Sequence, residues 1–186
     1  MPSKDARASM LSTPGVVDEA LMREIRSYAD KPTENDLGVV TASTISRYAR
    51  AVGLTDPIHY DSEAARAHGF RDVVAPLNLL PSIVDWTAGA PVEELRPDGT
   101  SVDESTVGVP TSGYRIMGGG ERMEFHEPLV AGDRVIVTAR LVDVDLRQTR
   151  SGPMLVVRYH NGYRTDAGVL LMSCERSVLV RNGEDA

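Results

Sequence analysis

A chain of 186 residues is long enough to bury one substantial core but too short for two domains of ordinary size, and its 41 % hydrophobic and 25 % charged residues exclude a disordered or fibrous chain. The formal net charge of −7, from 27 acidic against 20 basic residues, provides no global field for a polyanion and argues against nucleic-acid binding. The single cysteine, Cys174, rules out an intrachain disulfide and a paired-cysteine metal site; it fits a reducing compartment, where a lone Cys is a small core residue.

Residues 1 to about 15 are small and polar and read as a loose tail. They hold no continuous apolar run and nothing later reaches membrane-span length, so a cytoplasmic location is the expectation, without export or anchoring. In DEALMREIRSY, Leu21, Met22, Ile25 and Tyr28 recur at helical spacing behind Asp18, a residue suited to the N-cap. KPTENDLG then reads as loop and GVVTAS as a short strand. Ile45, Tyr48, Ala49 and Val52 mark one apolar face of a helix closed by Gly53. Asp61 is placed to cap a further helical turn, SEAARAH, ended by Gly69.

The segment from Ala75 to Ala90 is the most apolar helical candidate. Leu77, Leu79, Leu80, Ile83, Val84 and Trp86 spread around its circumference, which predicts burial on several sides, with Pro81 a kink unless the helix starts near it. Residues 91 to about 112 are acidic, contain Pro and Gly, lack any period and read as an exposed loop. Four β-prone runs follow: ERMEFHEPL, DRVIVTARLVDVDLRQTR, PMLVVRYHNGYRT and GVLLMSCERSVLVR, with reversals at VAGD, RSGP and TDAG. Asn161-Gly162 is a competing hairpin signal, but a turn there would cut its flanking strands short, so TDAG is the preferred reversal. Antiparallel strands around one apolar helix make an α+β arrangement.

Residues 47–76, RYARAVGLTDPIHYDSEAARAHGFRDVVAP, followed about fifty residues later by MEFHEPLVAGDRV, resemble the MaoC-like enoyl-CoA hydratases and dehydratases. The resemblance is closest to their fatty-acid-synthase-type dehydratase branch, the MaoC N-terminal domain. It implies a single hot-dog fold, a curved antiparallel sheet wrapped around a central helix, here Ala75 to Ala90. It divides the chain into an N-terminal extension over 1–36, the hot-dog domain over 37–181 and a tail over 182–186. The implied reaction is reversible syn addition of water to an enoyl thioester carried by CoA or an acyl carrier protein. No cofactor is expected, and the implied partners are the thioester substrate and a second hot-dog subunit, identical or different.

The family's Asp-x-Asn-Pro-x-His motif falls on residues 54–59. His59 and Pro57 match it, whereas Asp56 stands at the Asn position and Leu54 at the Asp position. Hydration requires a base for water, an acid for the α-carbon and donors for the developing oxyanion. His59 is the candidate base, since an imidazole exchanges protons near neutral pH, and Asp56 is the nearest acid to orient it. Because Asp56 precedes Pro57, its backbone is biased to be extended, which can point the carboxylate elsewhere. The start of the central helix, at Ala75, Leu77 and Asn78, is the candidate substrate-binding segment, where backbone amides favour negative charge and Pro76 cannot donate.

Arg47, Arg50 and Arg71 offer guanidinium groups to a phosphate, set against the plainer reading of a solvated helix face. His59, His68, Asp56 and Asp61 contain no metal-binding spacing such as HExxH, so no metal is expected. Two function classes therefore stand: an enzyme with His59 as general base, or an acyl-binding subunit that lacks the motif Asp and serves a catalytic partner. An acyl thioesterase is the third option that this fold allows.

Overall fold

The computed structural model describes residues 15–82, 91–95, 108–109 and 113–183. The architecture is one five-stranded antiparallel sheet, in the order β1-β3-β4-β5-β2, with short helices on one face and at one end. The strands are β1 Thr33–Val39, β2 Tyr114–Phe125, β3 Arg134–Thr149, β4 Gly152–Thr165 and β5 Leu170–Asn182. The helices are α1 Glu19–Arg26, α2 Ala42–Ala51, α3 Ser62–Ala67 and α4 Leu79–Ser82, with 3-10 turns at Pro57–His59 and Val92–Glu94.

The capped helices lie where their sequence signals put them. Asp18 accepts from the Leu21 amide at 2.8 Å and Asp61 from the Glu63 amide at 2.8 Å, each satisfying a donor that the first helical turn leaves free. Helix α2 starts slightly earlier than its apolar face implies, because the Thr41 hydroxyl accepts from the Thr44 amide. Past it, Gly53 has φ +77, a left-handed turn that only glycine adopts without strain.

The first strand departs from expectation. It occupies Thr33–Val39, mostly the segment read as loop, and takes only Gly38 and Val39 of the run read as strand, while Val40 enters the core and Ala42 and Ser43 are already helical. Thr33–Val39 forms a sheet edge, with Glu34, Asn35 and Asp36 exposed, so pairing to β3 outweighs their low strand preference. The register shifts between Asp36 and Gly38, and Asp36 bonds the Gly38 amide while pairing with Arg134. The second strand also begins earlier than its β-prone run, at Tyr114 rather than near Glu121. It runs through Gly118, Gly119 and Gly120 by means of a bulge in which Gly120 has φ +115.

Strands β3, β4 and β5 follow the predicted series. Strand β4 continues through Asn161-Gly162 and reverses after Thr165, with the Thr165 amide donating to Val169 and that of Gly168 to Thr165. The β4/β5 irregularity falls at Tyr163/Arg164, just past the glycine, which itself pairs in register with Ser173.

The proposed central helix begins at Leu79, not Ala75, and the rest of the expected span, 83–90, lies outside the described residues. Ala75 precedes Pro76 and is held extended, its amide donating to the Leu129 carbonyl at 2.8 Å beside a Val74–Val130 bridge. Pro81 is the third residue of α4, where its missing N–H is one that a first turn would leave unbonded anyway. Within the stretch read as an exposed loop, Val92 and Glu93 are exposed, but Val109 is buried. Beside it Gly108 packs on the Tyr28 ring so closely that a Cβ would lie 2.9 Å from ring carbons. Most of the remaining loop acids lie outside the described residues.

One face of the sheet carries two apolar clusters. Toward the turns, Leu37, Val40, Ile45, Val73, Leu79, Leu129 and Met172 pack together with Cys174. At the other end α1 buries Leu21 and Ile25 against Leu141, Val157, Val178 and Val180. The N-terminal segment is thus part of the same core, tied down by the Val17 amide donating to Asn182 Oδ1 and by Arg26 donating to the Val144 carbonyl.

Candidate active site

Residues 53–61 make a compact turn between α2 and α3. Asp56, extended at φ −63 and ψ 127, caps the 3-10 turn by accepting from the Ile58 amide at 3.1 Å. Pro57 starts that turn with its φ already set, and the His59 and Tyr60 amides close it onto Asp56 and Pro57. The Ile58 carbonyl accepts from the Val74 amide at 3.0 Å, which fastens the turn to the extended strip Val73–Ala75. Ser46 of α2 donates to the His59 carbonyl at 3.2 Å. The strip is fixed in turn by Asp72, which accepts from the Ser62 hydroxyl and from the Val73 amide, both at 2.7 Å. The Ser62 bond, followed by the Val73 amide, holds the Asp72 carboxyl below its ordinary range.

His59 is the one buried histidine of the described residues, 9 % exposed, and its Nδ1 lies 2.6 Å from the Val74 carbonyl oxygen. A carbonyl only accepts, so Nδ1 carries the proton in this bond. In the neutral ring Nε2 is then the atom with the free lone pair, the form that a general base requires. The imidazole is therefore oriented by a backbone carbonyl. Asp56 and His59 are not hydrogen-bonded to each other, since the carboxylate is turned toward the Ile58 amide.

Leu54 is 39 % exposed, and its carbonyl accepts from the Tyr60 hydroxyl at 2.5 Å. Of the proposed substrate-binding segment, the Ala75 amide is occupied by Leu129, whereas Leu77 and Asn78 stand exposed immediately ahead of α4. The Tyr48 hydroxyl donates to the Asn78 carbonyl at 3.1 Å, linking α2 to that approach. His68 bonds the Ala64 carbonyl at its helix end, and Arg71 pairs with Asp133. Among the described residues no group of three or more His, Cys, Asp or Glu is arranged to hold a metal.

The motif names His59 but not the groups that hold it. The Val74 carbonyl, the Ser46 hydroxyl and the Asp72 brace are absent from the motif.

A five-stranded antiparallel sheet, short helices against one face and a histidine turn beside the approach to a helix define a hot-dog protein of the MaoC-like dehydratase kind. A family model, the FAS1-like dehydratase domain region, matches residues 31–174, and the chain belongs to that family. A UPF0336 protein of Clavibacter michiganensis is 30 % identical over 148 residues, covering 80 % of this chain and 88 % of its own. A probable enoyl-CoA hydratase alpha subunit of Thermomonospora curvata is 31 % identical over 108 residues, 56 % of this chain and 33 % of the relative. Among solved structures, the ChsH1-ChsH2 complex of Mycobacterium tuberculosis matches with TM-score 0.67 and 18 % identity, covering 91 % of this chain and 100 % of that one. The HadBC (3R-hydroxyacyl-ACP dehydratase) complex of the same organism matches with TM-score 0.55 and 23 % identity, over 80 % and 95 % of the two chains. These structural likenesses establish the fold.

Proposed function

We propose that this chain is a protomer of a hydratase/dehydratase acting on enoyl and 3-hydroxyacyl thioesters of CoA or an acyl carrier protein, with His59 as its proton-transfer group. The observation that carries the reading is the 2.6 Å contact of His59 Nδ1 with the Val74 carbonyl, which leaves Nε2 basic without help from a carboxylate. In the hydration direction Nε2 takes a proton from water as the oxygen bonds to the β-carbon, and the C=C electrons move onto the thioester oxygen. The imidazolium then returns its proton to the α-carbon as the enolate collapses. Water is consumed, His59 is regenerated, and one group serving one face gives syn addition, so the chemistry tolerates Leu54 in place of an acid. The amides of Leu77 and Asn78, at the approach to α4, are the proposed oxyanion donors. Asp56 acts by capping the turn.

Pairing with a second hot-dog subunit belongs to this reading. The outer edge of β2 carries twelve residues and no partner strand among the described residues, an arrangement that proteins rarely leave bare. Named relatives supporting it include an alpha subunit and two two-component complexes.

A specific observation favours a second reading: Leu54, apolar and exposed, replaces the motif acid. In that case the chain is an acyl-binding subunit whose catalytic carboxylate and histidine come from its partner. Turnover of crotonyl-CoA by the purified chain, alone and with a co-expressed hot-dog partner, separates the two. Activity that His59→Ala abolishes supports the first; activity in the pair that survives His59→Ala overturns it in favour of the second. Release of free thiol without hydration would point instead to a thioesterase.

A further inference from the structure

The turn that holds His59 has a second side, which the mechanism above does not use. An open surface depression of about 400 Å³ is lined by Arg50, Gly53, Leu54, Thr55 and Tyr60. Gly53 and Leu54 line it as well: Gly53 has nothing within 4 Å of the place a Cβ would take, and Leu54 is exposed. Its polar lining residues are Arg50, Thr55 and Tyr60, and no acidic residue is among them. Arg50 makes no ion pair with any described residue. By contrast, Arg71, Arg134, Arg158 and Arg176 are each paired with an acid. An arginine with no ion pair and a threonine that line one depression without an acid are suited to a phosphate at the end of a largely uncharged arm.

We infer that this depression is a phosphate subsite, in which Arg50 and Thr55 bind the 4′-phosphate of a phosphopantetheine arm whose thioester lies toward His59. The inference rests on the thioester reading above. Tyr60 joins the two places physically: it lines the depression, follows His59 in the chain and donates to the Leu54 carbonyl on the opposite side of the loop. The 4′-phosphate is common to CoA and to a carrier-protein prosthetic group. A contact there therefore accepts either source, and it assigns to the exposed residues 50–55 a role that does not require an acid at position 54.

The test compares dissociation constants, by titration calorimetry, for crotonyl-pantetheine, crotonyl-4′-phosphopantetheine, crotonyl-dephospho-CoA and crotonyl-CoA on the wild-type chain, Arg50→Glu, Arg50→Lys and Thr55→Val. Wild type should prefer the phosphorylated arm to pantetheine by about tenfold, and Arg50→Glu should erase that preference while leaving crotonyl-pantetheine unchanged. Arg50→Lys and Thr55→Val should each lose a few fold of the preference. Equal affinity of wild type for the pantetheine and phosphopantetheine thioesters overturns the subsite while leaving the thioester reading intact. A preference that appears only with crotonyl-CoA, through its 3′-phosphate, also overturns it. Failure of all four thioesters to bind overturns the reading beneath it. Repeating the Arg50→Glu comparison with crotonylated carrier protein distinguishes the sources: a loss with both supports a shared 4′-phosphate contact, and a loss with CoA alone confines the subsite to CoA.

Discussion

The two ends of the sheet are built on different principles. At the α1 end, a helix of eight residues lays Leu21 and Ile25 onto the long strands, and the result is an apolar cluster of fully buried side chains. At the His59 end, the elements that carry the site are turns of three to six residues, and they are positioned by single hydrogen bonds: Val74 to Ile58, Ser46 to His59, Asp72 to Ser62 and Val73. Burial is non-directional and tolerates small shifts, whereas a hydrogen bond of about 2.6–3.2 Å specifies where an atom must be. Both ends rest on a buried apolar cluster, and what the His59 end adds is atomic placement by hydrogen bonds laid over it.

The sharpest way to break this comparison is to remove the placed group. His59→Ala should lower crotonyl-CoA turnover by about 10²- to 10⁴-fold in whichever assembly is active, with only a small change in Tm. A large fall in Tm would mean that the turn, too, is chiefly a stabilising element. At the opposite end Leu21→Ala or Ile25→Ala should cost about 2–5 kcal/mol in urea unfolding, because each opens a cavity at a fully buried position. Turnover per folded molecule should be unchanged; a loss of activity in step with stability would show that the two ends are not separable.

Asp72 sharpens the comparison through pH. Its carboxyl is held down first by the Ser62 hydroxyl, so its contribution is complete above the unfolded value near 3.8 and is lost as pH falls through the lower folded value. The stability difference between wild type and Asp72→Asn, followed by urea unfolding across pH, should therefore be flat from pH 5 to 8 and vanish in acid. A difference that grows in acid would contradict the bonding described. The smallest effect is expected at Asp56: Asp56→Asn should change turnover less than about threefold, because Asn also caps a turn. A hundredfold loss would make the carboxylate a direct partner of the chemistry.

Much of the fold was legible because its signals are local. Asp18 and Asp61 announce helix starts, and Thr165 to Gly168 holds the reversal that leaves the flanking strands at full length. Strand β1 was not legible: Glu34, Asn35 and Asp36 form an edge strand through β3, a partner about a hundred residues away. The start of α4 was misplaced for a similar reason, since Leu129, distant in sequence, holds Ala75 extended. At the site, His59 stood out through its motif, but the atom that orients it is a main-chain oxygen, and every residue carries one.

The amino-acid sequence by itself determined the family, the strand series and the capped helices, and it singled out His59 as the candidate, because side-chain chemistry and short-range periodicity are written residue by residue. Only the tertiary structure decided which carbonyl faces Nδ1, that Asp56 turns to Ile58, and that Arg50 borders an open depression beside the same loop. Those facts depend on bringing α2, the 3-10 turn and the strip at Val74 into contact, and that juxtaposition is set by the shared apolar cluster beneath them.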